Sequence, residues 1–156
     1  GIAEQAVFTE ITPTMWRRMI DVHVNGPYYC CREIVPHMIE RKKGCILNVS
    51  SIWGMVGGSC EVHYSTAKAA VIGFTKALAK ELGPSGIRVN CVAPGIIQTD
   101  MNTGIEEADA QCLCGQTPLG RFGTPGEAAD CLWYLASDKA GFITGQVLSP
   151  NGGFVI

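Results

Sequence analysis

The stretch HYSTAKAAVIGFTKALAKEL, residues 63–82, decides the fold. Its apolar residues recur at spacings of four, three, four and four. They are Ala67, Val71, Phe74, Leu78 and Leu82. This period places them on one buried face of a helix, which Gly83 and Pro84 end. Tyr64 and Lys68 lie four residues apart in its first turns and share a helical face. Such a pair is either an ordinary feature of an amphipathic helix or a reactive pair.

Short apolar runs lie on both sides of this helix. The runs CILNVSS, IRVNCVA and GQVLSPNGG predict strands over 45–50, 87–92 and 146–149. The order strand, helix, strand, helix, strand is typical of a parallel sheet with right-handed crossovers. The sequence therefore predicts an α/β fold with about three parallel strands and flanking helices.

A long helix is predicted before the first strand. Thr12 is a plausible cap for a helix over 14–43, which we expect to bend near Gly26 and again at Pro36. Three basic residues precede Gly44, which suits the negative end of a helix dipole followed by a glycine cap. We therefore expect this helix to end at Gly44.

Three segments complete the chain. Residues 52–62 are glycine-rich and predict a loop, and residues 99–118 lack periodicity and predict a mobile segment. Thr124 followed by Pro125 and Glu127 has the pattern of a capping box, which predicts the start of a last helix.

Composition limits the functional classes. The 156 residues are 47% hydrophobic and 17% charged with a net charge of −2, which predicts one globular domain over 1–156 and no nucleic-acid partner. No apolar run approaches the ~20 residues of a membrane span. The first residues lack the features of a signal peptide, so we expect a cytoplasmic protein with reduced cysteines.

No metal site is predicted. The eight cysteines form no Cys-x-x-Cys pair, and no His-x₃₋₅-His pair accompanies them. Cys60 and His63 are two possible ligands, but a third and a fourth are not evident.

The pairing of Tyr64 with Lys68 suggests proton transfer. A phenol has a pKa of ~10, and an ammonium within ~4–6 Å lowers such a pKa by ~1–3 units. Ser51 follows a buried strand at the carboxyl edge of the sheet, where its hydroxyl can hold the oxygen that gains or loses the proton. None of these side chains carries hydride, which implies a nicotinamide cofactor.

The chain resembles the short-chain dehydrogenase/reductase family over essentially its whole length. The matching stretches are NVSSIWG, YSTAK thirteen residues after Ser51, RVNCVAPGIIQT, GRFGTPGEAA, WYLASDKAGFITGQVL and NGG. A Tyr-x₃-Lys pair alone is weak evidence, but the whole ordered set is specific. The resemblance implies part of a Rossmann-type doubly wound parallel sheet, its C-terminal half.

The resemblance also implies roles for single residues. Tyr64 is expected to donate the proton in carbonyl reduction, Lys68 to hold the nicotinamide ribose and tune Tyr64, and Ser51 to position the carbonyl. The residues expected near the nicotinamide are Pro94, Gly95, Ile97 and Thr99, with Ile97 using its backbone. Residues near 99–118 resemble the family's substrate lid.

The stretch DVHVNG departs from the family pattern. His23 stands where the family has a catalytic Asn, and Asn25 follows two residues later, ~200° around a helix. Two interpretations are open for His23. Its main-chain carbonyl and ring serve the proton relay as a fourth catalytic residue, or the side chain only packs.

The family's glycine-rich dinucleotide turn is not found in this sequence. Gly1 resembles the last residue of the family motif NNAG, so we expect on the order of 90 residues upstream, at ~30 for each βα unit. The cofactor is expected to be NADP or NAD, with NADPH favoured, although the residue that chooses between them is not in this sequence. We expect the 156-residue chain alone to bind either cofactor very weakly and to show no reductase activity.

The resemblance is nearest to 3-oxoacyl-[acyl-carrier-protein] reductases of fatty acid biosynthesis, which implies a small-molecule or carrier-bound ketone as substrate. An alternative is reduction of the 5-aminopentanone modification on elongation factor P, in which Glu61 meets a cationic amine or is only a solvated carboxylate. Helices over 14–43 and 62–83 are expected to form a homodimer or homotetramer. An alternative of another class is an inactive fragment that serves only as a dimerisation module.

Overall fold

The computed structural model describes residues 1–102 and 106–156. Within these ranges a parallel three-stranded sheet has the order β1 (Gly44–Val49), β2 (Ile87–Val92), β3 (Val147–Leu148). β1 pairs with β2 in register from Gly44 opposite Ile87, and β2 pairs with β3 at Cys91 and Val92. The predicted parallel α/β architecture is confirmed, with β1 beginning one residue earlier than expected and β3 shorter.

Six α-helices connect and cover these strands in the described ranges. They are α1 (Pro13–Ile20), α2 (Gly26–Arg41), α3 (Ile52–Val56), α4 (Val62–Leu82), α5 (Glu107–Gln116) and α6 (Pro125–Ala136). Single 3₁₀ turns occupy Phe8–Glu10, Gly83–Ser85, Asp100–Asn102 and Asp138–Ala140. The predicted capping box is present, because the Thr124 hydroxyl accepts from the Glu127 amide while the Glu127 carboxylate accepts from the Thr124 amide. None of the described helices is long and apolar enough to cross a membrane.

A π-helical turn over Asp21–Asn25 joins α1 to α2. The amide of Gly26 donates to the carbonyl of Asp21, five residues back, so the ladder of i→i−4 bonds is interrupted there. The predicted bend therefore lies just before Gly26. α2 continues through Pro36, where a second irregularity was expected.

The predicted end of α2 is wrong by two residues. Lys42 takes the left-handed conformation at φ 49°, and its amide donates to the carbonyls of Ile39 and Met38. Gly44 is already the first residue of β1. A Cβ at Gly44 would lie 2.6 Å from the Met38 sulfur, so the glycine serves close packing between helix and strand.

Two predicted irregular segments contain helices. α3 begins directly after Ser51 inside the expected loop, and α5 lies inside the segment 99–118 that lacks periodicity. The sequence of α5 gives no sign of an apolar face, and none of its residues is buried. Residues 103–105 of the expected lid lie outside the described residues.

Helices pack on both faces of the sheet. On one face α2 and α4 meet β1 and β2 in a core of Cys31, Ile46, Ala79, Leu82, Ile87 and Val89. On the other face α6 contributes Leu135 to a cluster with Val92 and Ala140. A third cluster joins Met19, Tyr64 and Ala67, and it brings α1 against the start of α4. The first turns of α4, which carry Tyr64 and Lys68, are thus part of the packed interior.

Candidate active site

The carboxyl ends of β1 and β2 are tied together by main-chain hydrogen bonds. The amide of Ser50 donates to the carbonyl of Val92 at 2.8 Å, and the amide of Ile52 donates to that of Pro94 at 3.1 Å. A cavity of about 640 Å³ lies at this edge, and its lining includes Ser51, Tyr64 and Gly95. Three segments that are distant in sequence therefore meet around one space, as open α/β sheets arrange their sites.

Ser51 and Tyr64 both line this cavity, and the Ser51 hydroxyl lies close enough to affect the pKa of the phenol. Ser51 is buried and caps α3, where its hydroxyl oxygen accepts from the amide of Trp53 at 3.2 Å. Burial raises the pKa of Tyr64 above its ordinary value, while the nearby Ser51 hydroxyl opposes that rise and the carboxylate of Glu61 adds to it. The phenol is therefore held protonated at neutral pH with its oxygen beside a second hydroxyl.

Lys68 is buried beneath Tyr64. Its Nζ donates to the carbonyl of Val49 at 3.1 Å and lies 5.6 Å from the centroid of the Tyr64 ring. Burial lowers the pKa of Lys68, since the charged form loses its hydration. The prediction that the ammonium lowers the pKa of Tyr64 is wrong for this geometry, because burial of the phenol dominates.

Two residues that sequence analysis missed hold this arrangement together. The hydroxyl of Ser50 donates to the main-chain carbonyl of Lys68 at 2.7 Å. A Cβ at Gly54 would lie 2.7 Å from the carbonyl carbon of Lys68 and 2.6 Å from the Ser50 hydroxyl, so α3 and α4 approach through a glycine. The doubled serine and the glycine three residues after Ser51 are the signals that were available.

His23 lies in the π-helical turn with its ring buried against Tyr64. The two ring centroids are 5.5 Å apart at 90°. Its Nε2 lies 2.7 Å from the carbonyl oxygen of Ile2 and 3.3 Å from the amide of Ile2, so either tautomer has a partner. Burial lowers the pKa of His23. Asn25 donates to the carboxylate of Asp21 at 2.6 Å.

The residues expected near a nicotinamide divide into two groups. Pro94 and Gly95 adjoin Ser51, and a Cβ at Gly95 would lie 2.8 Å from the Cα of Asn151, so glycine allows close approach of two backbones. Ile97 forms a parallel bridge with Gly123 further along the rim. The Thr99 hydroxyl lies 3.5 Å from the carbonyl of Ile97 and is exposed.

Acidic side chains line the cavity. The carboxylate of Glu61, a candidate from the sequence, accepts a hydrogen bond from the side-chain Nε2 of Gln5 at 3.3 Å, and burial raises the pKa of this carboxyl group. Glu4, Glu106 and Asp109 also line the cavity, and its described lining contains no lysine or arginine. These carboxylates come from distant segments of the chain, so the sequence alone does not predict that they line one cavity.

The possible ligand pair Cys60 and His63 does not form a metal centre with other described residues. Cys60 is exposed, whereas His63 is fully buried with neither ring nitrogen hydrogen-bonded in the described part of the chain. No group of three or more candidate ligands occurs in residues 1–102 and 106–156. All eight cysteines are unpaired in the structure.

Known proteins resemble the chain in sequence. A family model described as enoyl-(acyl carrier protein) reductase matches residues 1–155. The chain is 46% identical over 154 residues to the uncharacterized oxidoreductase YmfI of Bacillus subtilis, covering 99% of this chain and 64% of that protein. It is 41% identical over 156 residues to the 3-oxoacyl-[acyl-carrier-protein] reductase FabG of Thermotoga maritima, covering 100% and 63%. The chain thus spans less than two thirds of the length of these relatives.

Solved structures resemble the chain in fold over nearly its whole length. A gluconate 5-dehydrogenase from Burkholderia cenocepacia in complex with NADP and tartrate has a TM-score of 0.96 at 30% identity, covering 99% of this chain and 61% of that one. A 3-oxoacyl-[acyl-carrier protein] reductase from Brucella melitensis has a TM-score of 0.96 at 38% identity, covering 100% and 61%. With the fold and the matched motifs, these likenesses show that the chain belongs to the short-chain dehydrogenase/reductase family.

Proposed function

We propose that residues 1–156 form the catalytic portion of an NAD(P)-dependent reductase that converts a ketone to a secondary alcohol. The observation that carries this proposal is the pairing of Ser51 and Tyr64 at one cavity, with the buried ammonium of Lys68 5.6 Å from the centroid of the phenol ring. A nicotinamide supplies hydride to the carbonyl carbon when it is bound. Tyr64 supplies the proton to the carbonyl oxygen.

The chain's own residues divide this task. The Ser51 hydroxyl, fixed by the cap of α3, holds the carbonyl oxygen next to the phenol. Lys68 keeps a positive charge near the oxygen and offers Nζ to a ribose hydroxyl. We assign His23 a supporting role, because its ring packs edge-on against Tyr64 and limits the positions of the phenol.

The residues present fit the nicotinamide end of the cofactor. Gly95 lines the cavity that Ser51 and Tyr64 also line, so a flat ring can lie against the main chain there. We assign Pro94, Ile97 and Thr99 to the same rim. The sequence contains no strand-linked glycine-rich turn for a pyrophosphate, and we assign the adenosine end to no residue of this chain. NADPH is the favoured form in this proposal.

The substrate class has two candidates. A 3-oxoacyl group on a carrier, as in fatty acid biosynthesis, is supported by the relatives that are named 3-oxoacyl-[acyl-carrier-protein] reductases. A cationic ketone such as the 5-aminopentanone group of elongation factor P is favoured by one specific observation, the carboxylates of Glu4, Glu61, Glu106 and Asp109 around the cavity. An ammonium group is the partner that such a wall attracts.

The proposed protein acts in the cytoplasm as a homodimer or homotetramer. Tyr29, Ile34 and Ile39 expose apolar surface on α2, which a second copy can cover. This surface also supports the alternative in which the chain serves only as a dimerisation module.

Binding and turnover in a protein of the relatives' full length test the proposal. Nicotinamide fluorescence would follow titration with NADPH and NADH, and absorbance would follow reduction of a 3-oxoacyl thioester and of an amino ketone. We expect saturable cofactor binding and turnover of at least one ketone. Turnover should be lost in Ser51→Ala and retained in Ser59→Ala, a matched change in the exposed loop nearby. Absence of both binding and turnover would reject the reductase and favour the dimerisation module.

A further inference from the structure

The motif GRFGTPGEAA, residues 120–129, has no role in the proton transfer described above. Gly123, its fourth residue, is bound to the rim of the active site by two main-chain hydrogen bonds. The amide of Gln98 donates to the carbonyl of Gly123 at 2.9 Å, and the amide of Gly123 donates to the carbonyl of Ile96 at 2.9 Å. The backbone of 96–98, which continues from Gly95, therefore takes its position from Gly123.

An ion pair in turn holds both neighbours of Gly123. Arg121 binds Glu127 through two hydrogen bonds, Nη1 to Oε2 at 2.9 Å and Nη2 to Oε1 at 2.6 Å. The same Nη1 donates to the carbonyl of Phe122 at 3.0 Å, and Oε2 accepts from the amide of Thr124 at 2.8 Å. The main chain is thus fixed immediately before and immediately after Gly123.

This pair differs from an average surface ion pair. An exposed ion pair contributes little to stability when one flexible contact joins its two side chains. A two-point contact between guanidinium and carboxylate fixes the relative orientation of the two groups as well as their distance. The hydrogen bonds from Arg121, followed by the one from Thr124, lower the pKa of Glu127 to about 2. The carboxylate therefore stays ionised throughout the physiological range.

Side-chain packing supports the same region only in part, since Ile97 packs closely against Gly123, where a Cβ would lie 2.6 Å from its Cδ1. A cavity of about 170 Å³ lies beside the bridge, and Ile96, Ile97, Arg121 and Glu127 all line it. Where side chains leave such a gap, the segment is held by its hydrogen bonds rather than by contact on all sides. A loss of the ion pair is therefore transmitted to 96–98 through Gly123.

We propose that Arg121 and Glu127 are positioning residues for cofactor binding, which act through Gly123 on the rim segment 96–98. The inference rests on the proposed function in one respect only, the assignment of this rim to the nicotinamide. The pair touches neither Ser51 nor Tyr64, so its loss acts on cofactor affinity and leaves the proton transfer step intact.

Hydrogen–deuterium exchange and cofactor titration of the full-length protein test this inference. The variants are Arg121→Ala and Glu127→Gln, of which the second keeps an oxygen for the Thr124 amide and loses the charge. Asp130→Asn is the matched control, since it removes one carboxylate from an exposed site about one turn further along α6. In both variants we expect faster exchange in the peptide that carries the Gln98 amide. The dissociation constant for NADPH should rise on the order of tenfold, while kcat should change less than about twofold.

Two results would overturn the inference. One is unchanged exchange at 96–98 in both variants, and the other is faster exchange with unchanged cofactor affinity. A lower melting temperature without either effect would show a structural role only. If the wild-type protein binds no nicotinamide, the proposed function fails, whereas the exchange data still decide whether the ion pair holds the rim.

Discussion

Helices α4 and α5 both border the cavity, but they are held very differently. α4 has eight buried residues among 21, and its first turns are fixed by Ser50 and by close contact with Gly54. α5 has ten residues, none of them buried, and no side chain caps its start. Tyr64 and Lys68 lie on the first helix, whereas Asp109 and Leu113 line the cavity from the second.

This contrast suggests a division of labour within one site. Proton transfer requires atoms held to a fraction of an ångström, which a packed helix supplies. Substrates of different shape require a wall that moves, and a helix with few buried contacts opens locally at small free-energy cost. Changes on α4 should therefore affect rate strongly, and changes on α5 should affect substrate affinity weakly.

The largest effect is expected for Tyr64→Phe. This variant keeps the ring against Met19 and His23 and removes only the proton donor. We expect kcat for ketone reduction to fall ~10²–10⁴-fold while the dissociation constant for NADPH changes little. Tyr134→Phe, an exposed tyrosine on α6, is the matched control and should retain full activity. Near-wild-type turnover by Tyr64→Phe would remove Tyr64 from the acid role.

The next effect concerns Lys68→Met. The variant loses the ammonium that we assign to both ribose and phenol, so kcat and cofactor affinity should both fall by about tenfold or more. Folding opposes the buried charge, because burial lowers the pKa of Lys68 below its ordinary value. The free energy of unfolding at neutral pH should therefore equal or exceed that of the wild type.

Steady-state kinetics and thermal unfolding measure these two consequences separately. Lys76→Met, two turns later on the exposed face of α4, is the matched control. If Lys68→Met lowered the melting temperature and left cofactor affinity unchanged, the lysine would have a structural role instead.

A smaller effect is expected at His23. In His23→Ala the buried ring leaves a cavity beside Tyr64 and an unpaired carbonyl at Ile2, so we expect a loss of ~2–4 kcal/mol in unfolding free energy and about tenfold in kcat. The unfolding free energy and kcat of His23→Asn should lie between those of His23→Ala and those of the wild type. Equal, near-wild-type rates for both would mean that the ring is packing only, and His37→Ala on the exposed face of α2 is the control.

The smallest effect is expected on α5. Asp109→Asn removes one carboxylate from the cavity wall, where the residue is exposed. Unfolding free energy should change by less than ~0.5 kcal/mol, and KM for a cationic ketone should rise about twofold to fivefold. KM for a neutral ketone ester should not rise, and Asp138→Asn provides the control. A large loss of stability would contradict the contrast between the two helices.

The strongly periodic parts of the fold could be predicted from the sequence. The strands follow from apolar runs, and the capping box at Thr124 follows from residue types at fixed spacing. The π-helical turn was not predicted, and the contacts that His23 makes from this turn reach Ile2 and Tyr64, which are distant in sequence. α5 was missed since its residues give no periodic pattern.

The site was predictable to a similar extent. Ser51, Tyr64 and Lys68 carry a motif, and the structure places them together. The direction of the Tyr64 pKa shift was not predictable, because it depends on how deeply the phenol is buried. The bond from Lys68 to the carbonyl of Val49 is likewise a product of the tertiary fold.

The pH dependence of both reaction directions tests the central claim, that a buried phenol exchanges the proton. Burial raises the pKa of Tyr64, so ketone reduction, which needs the protonated form, should stay constant through neutral pH and fall only in the alkaline range. Oxidation of the product alcohol needs the phenolate and should rise with pH towards the same pKa. The account predicts that in the full-length protein the rate of reduction falls and the rate of oxidation rises around the same alkaline pKa. The residual activity of Tyr64→Phe should show neither change with pH. Parallel profiles in the two directions, or an unchanged pH dependence in Tyr64→Phe, would contradict it.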